Sequence, residues 1–126
     1  MSAYRDLIFD LYKQPLNKGR LEHPTHRARC HNPVCGDDIT MELDVDNNMI
    51  TRATFHGTGC AICIASASLL TEQATKSTTD NMRKFGKDEV EQLLGVTLGP
   101  VRLKCALLPL ETLHKALGGS HDAATH

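Results

Sequence analysis

Five cysteines among 126 residues are the first feature of this sequence to explain. Thiolates are nucleophiles, redox partners and ligands for soft or borderline metals. An odd count fits poorly with a disulfide framework and better with reduced thiols. A single buried thiol commonly serves as a small hydrophobe, but five in one small domain weaken that reading.

Their settings differ. In Asn32-Pro33-Val34-Cys35-Gly36-Asp37-Asp38, Pro33 fixes one backbone angle and Gly36 permits an unusual one. A thiol and a carboxylate two residues apart, Cys35 and Asp37, can thereby be aimed at one point, although Asp37 equally suits a turn residue satisfying backbone amides. In Phe55-His56-Gly57-Thr58-Gly59-Cys60 the cysteine stands where glycines stop a strand and a helix begins. Free amides and the helix dipole favour a thiolate there. Cys105 lies among leucines in a helix, one turn after Arg102, and taken alone is a core thiol. Taken together, three cysteines and one aspartate can supply a tetrahedral zinc site or hold an iron–sulfur unit.

Two rivals come from the remaining thiols, Cys30 and Cys63. Cys60-Ala61-Ile62-Cys63 is formally a C-x-x-C pair, as in thioredoxin-like redox enzymes, but the βαβ framework that should precede it is absent. A structural zinc module on Cys30, Cys35, Cys60 and Cys63, with Cys105 in the core, is allowed by spacing but leaves Asp37 unexplained. Of the seven histidines, His23, His26, His114, His121 and His126 read as solvated surface groups; His56 is nearest the proposed site.

The elements that position these groups follow from periodicity. Tyr4, Leu7, Ile8, Leu11 and Tyr12 recur at helical spacing, predicting a helix over 3–13 that ends before Pro15. Gln14–Pro24 is rich in turn formers and reads as a loop or flexible arm. A short strand is expected over 26–31. Ile39, Met41, Leu43 and Val45 alternate strictly with polar residues, predicting a strand with one buried face; Asn47-Asn48 supplies a tight turn into a second strand, Met49–His56. An Ala- and Ser-rich helix is expected from Cys60 to Thr71. Ser77 and Asp80 suggest a capping box before short helices over about 78–84 and 87–95. Gly99-Pro100 opens a last helix, with Leu103, Leu107, Leu110, Leu113 and Leu117 on its core face, a kink at Pro109, and Gly118-Gly119 at its end.

Three segments then carry a resemblance. Asn-Pro-x-Cys-Gly-Asp at 32–37, Gly-x-Gly-Cys-x-Ile with Ala-Ser-Ala-Ser through 57–68, and Arg-x-x-Cys-Ala-x-Leu at 102–108 resemble the signature segments of the SufU/IscU/N-terminal NifU family, in the family's order. The resemblance covers roughly residues 3–118. It implies Cys35, Asp37, Cys60 and Cys105 as metal or cluster ligands, zinc as the ion found on isolation, and a [2Fe-2S] cluster as cargo. It also implies a cysteine desulfurase as sulfur donor and apo iron–sulfur proteins as recipients. Lys104 stands where IscU members resemble one another in having His, and Arg102 is similar to SufU, yet the usual SufU insertion is missing. Leu98-Gly99-Pro100-Val101-Arg102 only approximates the Leu-Pro-Pro-Val-Lys chaperone segment of IscU.

Fourteen Lys and Arg against 15 Asp and Glu give no electrostatic reason for nucleic acid or an anionic membrane as partner. Asp6 and Asp10 interrupt the first apolar stretch, so it is no secretory signal, and Cys60–Leu70 is too short to span a bilayer. The expectation is therefore a cytoplasmic α+β domain over 1–119, followed by a disordered tail over 120–126. It comprises a small, mainly antiparallel three-stranded sheet packed on several helices, N-terminal helix first. The reading is an iron–sulfur assembly scaffold, with a zinc-dependent sulfur carrier as the alternative. Cys35, on its Gly/Pro-framed loop, is the expected sulfur acceptor.

Overall fold

Strict alternation from Asp38 to Asp46 builds the centre of the molecule. In the computed structural model, which describes residues 3–118 and side chains from residue 5, strand β2 (Asp37–Asp46) lies between β1 (His26–Asn32) and β3 (Met49–Thr58). Both pairings are antiparallel. Ile39, Met41 and Leu43 are wholly buried, as is Phe55, which sits opposite Met41 on β3. Burying such a phenylalanine contributes roughly 2–3 kcal/mol relative to exposure. Asn47 and Asn48 take φ of 52° and 63°, the left-handed conformation that a two-residue hairpin turn needs. The expected disordered tail lies outside the described residues.

Five helices complete the fold: α1 (Ala3–Lys13), α2 (Ala61–Ala74), α3 (Thr79–Arg83), α4 (Lys87–Leu94) and α5 (Pro100–Ala116). α5 crosses β1 and β2 while α2 covers β3, so these two helices form the roof over the apolar face of the sheet. Small residues on α2 let α5 come close: Ala65, Ser66, Ala67 and Ser68 are buried, and Ser66 Oγ donates to the Ala106 carbonyl at 2.6 Å. α1 leans on α2 and touches α4.

Several expectations change in detail. Tyr12 is 48% exposed rather than core-facing, because α1 is covered only along the strip of Leu7, Ile8 and Leu11. On α5 the buried residues are Cys105, Ala106, Leu108, Pro109, Leu110, Thr112, Leu113 and Ala116, whereas Leu103 and Leu107 are half-buried. The helix is packed on both the sheet and α2, so its buried surface is broader than one leucine stripe. Pro109 lies within α5, which continues through it, and the helix ends at Ala116 with Leu117 as its cap. The cap of α3 is Thr78, not Ser77: its hydroxyl accepts from the Asn81 amide at 3.1 Å, while Ser77 bonds back to Gln73. The other face of β2 is also buried at Thr40 and Glu42. There the Gln14–Pro24 segment is strapped to the sheet, as the Leu21 amide donates to Glu42 Oε1 at 2.8 Å.

Candidate metal centre

The hairpin between β1 and β2 closes with Asn32 opposite Asp37, which leaves Cys35 at the tip. The turn is held from within. The Gly36 amide donates to the Asn32 carbonyl at 2.8 Å, the Val34 amide to Asn32 Oδ1 at 3.0 Å, and Gly36 takes φ of 80°. Asp37 is the first residue of β2 and shares the helix-facing register of Ile39 and Met41. Its side chain therefore points under α2 and is only 2% exposed.

β3 reaches the same corner through glycine. Gly57 has φ of +129°, and a Cβ there would stand 2.0 Å from the Asp38 carbonyl oxygen, so no other residue fits without moving β2. Two residues beyond β3, Cys60 caps α2 without a side-chain hydrogen bond of its own to the helix. Asp37 fills that role from the neighbouring strand, Oδ1 accepting from the Cys60 amide at 3.0 Å. The amide and the amino end of α2 together offset the burial of the carboxylate. The second oxygen, Oδ2, accepts from the Cys60 thiol at 3.8 Å.

Cys105 arrives from α5 and is 8% exposed. Its thiol, that of Cys35 and a carboxylate oxygen of Asp37 all lie within 4.8 Å of one another. Cys60 is not a member of that trio but flanks it through Asp37. Burial, and then the neighbouring Cys60, push the Cys105 thiol up. Cys35 and Cys60 are exposed. Two sulfurs and one oxygen thus meet from a hairpin tip, a helix interior and a strand start, and a third sulfur, at the helix cap, flanks them. Ligand atoms of a tetrahedral ion at thiolate distances stand about 3.8 Å apart. The trio's spacing lies within about 1 Å of that figure, so these residues fit zinc or iron.

The other candidates fall elsewhere. Cys30 is on β1 opposite Ile39 and half-buried, outside the trio. His56 is paired with Thr40, which puts it on the sheet face away from the helices; its Nδ1 is buried without a hydrogen-bond partner. Cys63 is wholly buried directly behind the site. Sequence reasoning placed glycines before Cys60 but missed that Gly59 makes room for Cys63 and Asp37, and it missed the bond from Asp37 to the Cys60 amide. It also missed Arg5, which joins Ile8, Phe9, Ile62 and Arg102 in lining a cavity of about 360 Å³ beside Cys60. The Gly57-x-Gly59 motif was a signal for the first; nothing local in the sequence marks the other two.

Fold and site together define a small α+β domain with a cluster of cysteines and one aspartate, a candidate metal centre, at one end of its sheet. The chain belongs to the NifU-like N-terminal domain family, which matches residues 3–122. It is 36% identical to the zinc-dependent sulfurtransferase SufU of Bacillus subtilis, the alignment covering 92% of this chain and 90% of that protein. It is 34% identical to the iron–sulfur cluster assembly scaffold protein IscU 1 of Archaeoglobus fulgidus, over 90% of this chain and 74% of the relative. Among solved structures, a putative iron–sulfur cluster assembly scaffold protein for the SUF system from Fervidobacterium islandicum superposes with a TM-score of 0.78. The two are 28% identical, and the match covers 93% of this chain and 96% of the other.

Proposed function

We propose that this chain is an iron–sulfur cluster assembly scaffold. It takes sulfur from a cysteine desulfurase, gathers it with iron as a nascent [2Fe-2S] cargo on Cys35, Asp37, Cys60 and Cys105, and passes that cargo to apo iron–sulfur proteins in the cytoplasm. The observation that carries this reading is the meeting of Cys35, Asp37 and Cys105 ligand atoms within 4.8 Å, with the Cys60 thiol 3.8 Å from Asp37. The same four residues would hold zinc on isolation, and zinc supplies charge neutralisation that keeps the thiols deprotonated.

Cys35 is the residue assigned to take up sulfur. It is exposed at a hairpin tip, whereas Cys105 is fixed in a helix and Cys60 is tied by its amide to Asp37. Its thiolate attacks the outer sulfur of the desulfurase persulfide; one S–S bond forms as another breaks, and the desulfurase cysteine leaves as thiolate. The approach of a partner is supported by Val34 and Val101, 93% and 80% exposed, and by the cavity lined by Arg5 and Arg102. Among the described residues no helix is long and apolar enough to cross a membrane.

A second reading, a zinc-dependent sulfur carrier, is favoured by the identity to the Bacillus protein. Protein purified without oxygen is incubated with desulfurase, cysteine and ferrous iron, sampled, and then given a reductant that brings persulfide sulfur to sulfide; the two samples separate the readings. Acid-labile sulfide and iron in equal amounts on the chain support the scaffold; one zinc with persulfide on Cys35 and no iron supports the carrier. Metal content should fall for each of Cys35→Ala, Cys60→Ala and Cys105→Ala. Retention of full metal by all three variants would refute both.

A further inference from the structure

One thiol near the centre has no role in that reading. Cys60 caps α2 and Cys63 is the third residue of the helix, so the two side chains stand one turn apart on the same face. This is the C-x-x-C spacing with which paired cysteines chelate a single ion. Cys63 is 0% exposed and belongs to the core cluster that also contains Cys105. It backs directly onto Asp37. A Cβ at Gly59 would stand 3.0 Å from Cys63 Sγ and 3.4 Å from Asp37 Oδ1, so the absent side chain leaves a corner that sulfur and carboxylate share. The Cys63 Sγ is not part of the trio that meets within 4.8 Å, so Cys63 stands beside that trio.

Asp37 is the hard ligand in an otherwise sulfur set, and zinc and iron both accept thiolate in its place. We propose that Cys63 is a reserve ligand, which takes the position of Asp37 when the carboxylate lets go and converts the set to Cys35, Cys60, Cys63 and Cys105. This inference rests on the four-residue reading above. The exchange balances within the site: the Cys63 thiol proton passes to the freed carboxylate beside it, so the charge of the ligand set is unchanged. Asp37 can then open the centre without loss of the ion.

The test is zinc K-edge X-ray absorption on the full chain loaded with one zinc equivalent without oxygen, together with zinc release to a chelator. The wild-type protein should show three sulfurs and one oxygen. In Asp37→Asn, whose amide oxygen still accepts from the Cys60 amide, the count should rise to four sulfurs with zinc retained. In Asp37→Asn/Cys63→Ser it should return to three, with zinc released about tenfold faster or more. Three sulfurs in Asp37→Asn, unchanged by Cys63→Ser, overturn the proposal, as does a lower count in Cys63→Ser alone, which would make Cys63 a resident ligand. Fewer than three sulfurs in the wild type overturn the four-residue reading itself. Asp37→Ser, offering a shorter acceptor to the same amide, gives the same readout if Asp37→Asn does not fold.

Discussion

At the scale of single residues, Asp37 does two things with two oxygens. Oδ1 holds the start of α2 through the Cys60 amide, and Oδ2 faces the thiols. Removing the side chain and neutralising it are therefore different experiments. In metal-free protein, Asp37→Ala leaves the partly buried Cys60 amide without its partner and should cost about 1–3 kcal/mol. Asp37→Asn keeps an acceptor and should cost less than half as much, while both lose the carboxylate ligand. Urea unfolding of the two variants with metal removed measures the difference; equal losses would mean that the amide bond does not anchor the helix. The residue types of the site were legible in the sequence, because Pro33, Gly36 and Gly59 frame thiols in ways a core cysteine does not require. The bond from Asp37 to Cys60 was not legible. It joins residues far apart in the chain, and no local pattern records a hydrogen bond that depends on how two strands are registered.

At the scale of elements, legibility followed how many sides of each element are packed. β2 alternates so strictly that the pattern alone assigns Ile39, Met41 and Leu43 to the core, and all three are wholly buried. α5 is harder, since the sheet and α2 cover it from two directions and Thr112 and Pro109 are buried beside its leucines. The link from β3 to α2 depends on a position where backbone conformation and space both demand glycine. Gly57 combines φ of +129° with a Cβ position 2.0 Å from the Asp38 carbonyl oxygen. Gly57→Ala should destabilise the protein by about 1–3 kcal/mol through backbone strain, before the clash is added. Relief requires Asp38 to move, and Asp37 with it, so zinc affinity should fall as well. Thermal unfolding with and without zinc tests this: a variant with unchanged midpoint in both states would show that β2 and β3 have slack at that point.

At the scale of the whole molecule, the sheet would have an open edge along β3 if Gln14–Pro24 were a free arm. An unpaired edge is a template for association with other chains. The segment instead pairs there: the Phe55 amide donates to the Asn17 carbonyl at 3.1 Å and the Gly19 amide to the Phe55 carbonyl at 2.8 Å. Asn17, at φ of 60°, also donates through Nδ2 to Thr71 Oγ1 at 3.2 Å, pinning the turn onto α2. Leu21 is then buried, with its amide on Glu42 Oε1, and Arg27 meets Oε2 of the same carboxylate at 3.2 Å. One buried carboxylate thus ties the arm, β1 and β2 together. Pro15, Asn17, Gly19 and Pro24 hid all this from a reading by composition, because turn formers mark a change of direction and not whether the chain beyond it is fastened. Hydrogen exchange followed residue by residue should find the Gly19 and Leu21 amides protected for times comparable with the interior of α2. Glu42→Ala removes a bond to a charged acceptor worth about 1.5–3 kcal/mol, so Leu21 exchange should accelerate about tenfold or more. Gly19, held by backbone alone, should be less affected. If both amides exchange in the wild type at the rate of an unstructured peptide, the arm is loose in solution and β3 is an open edge.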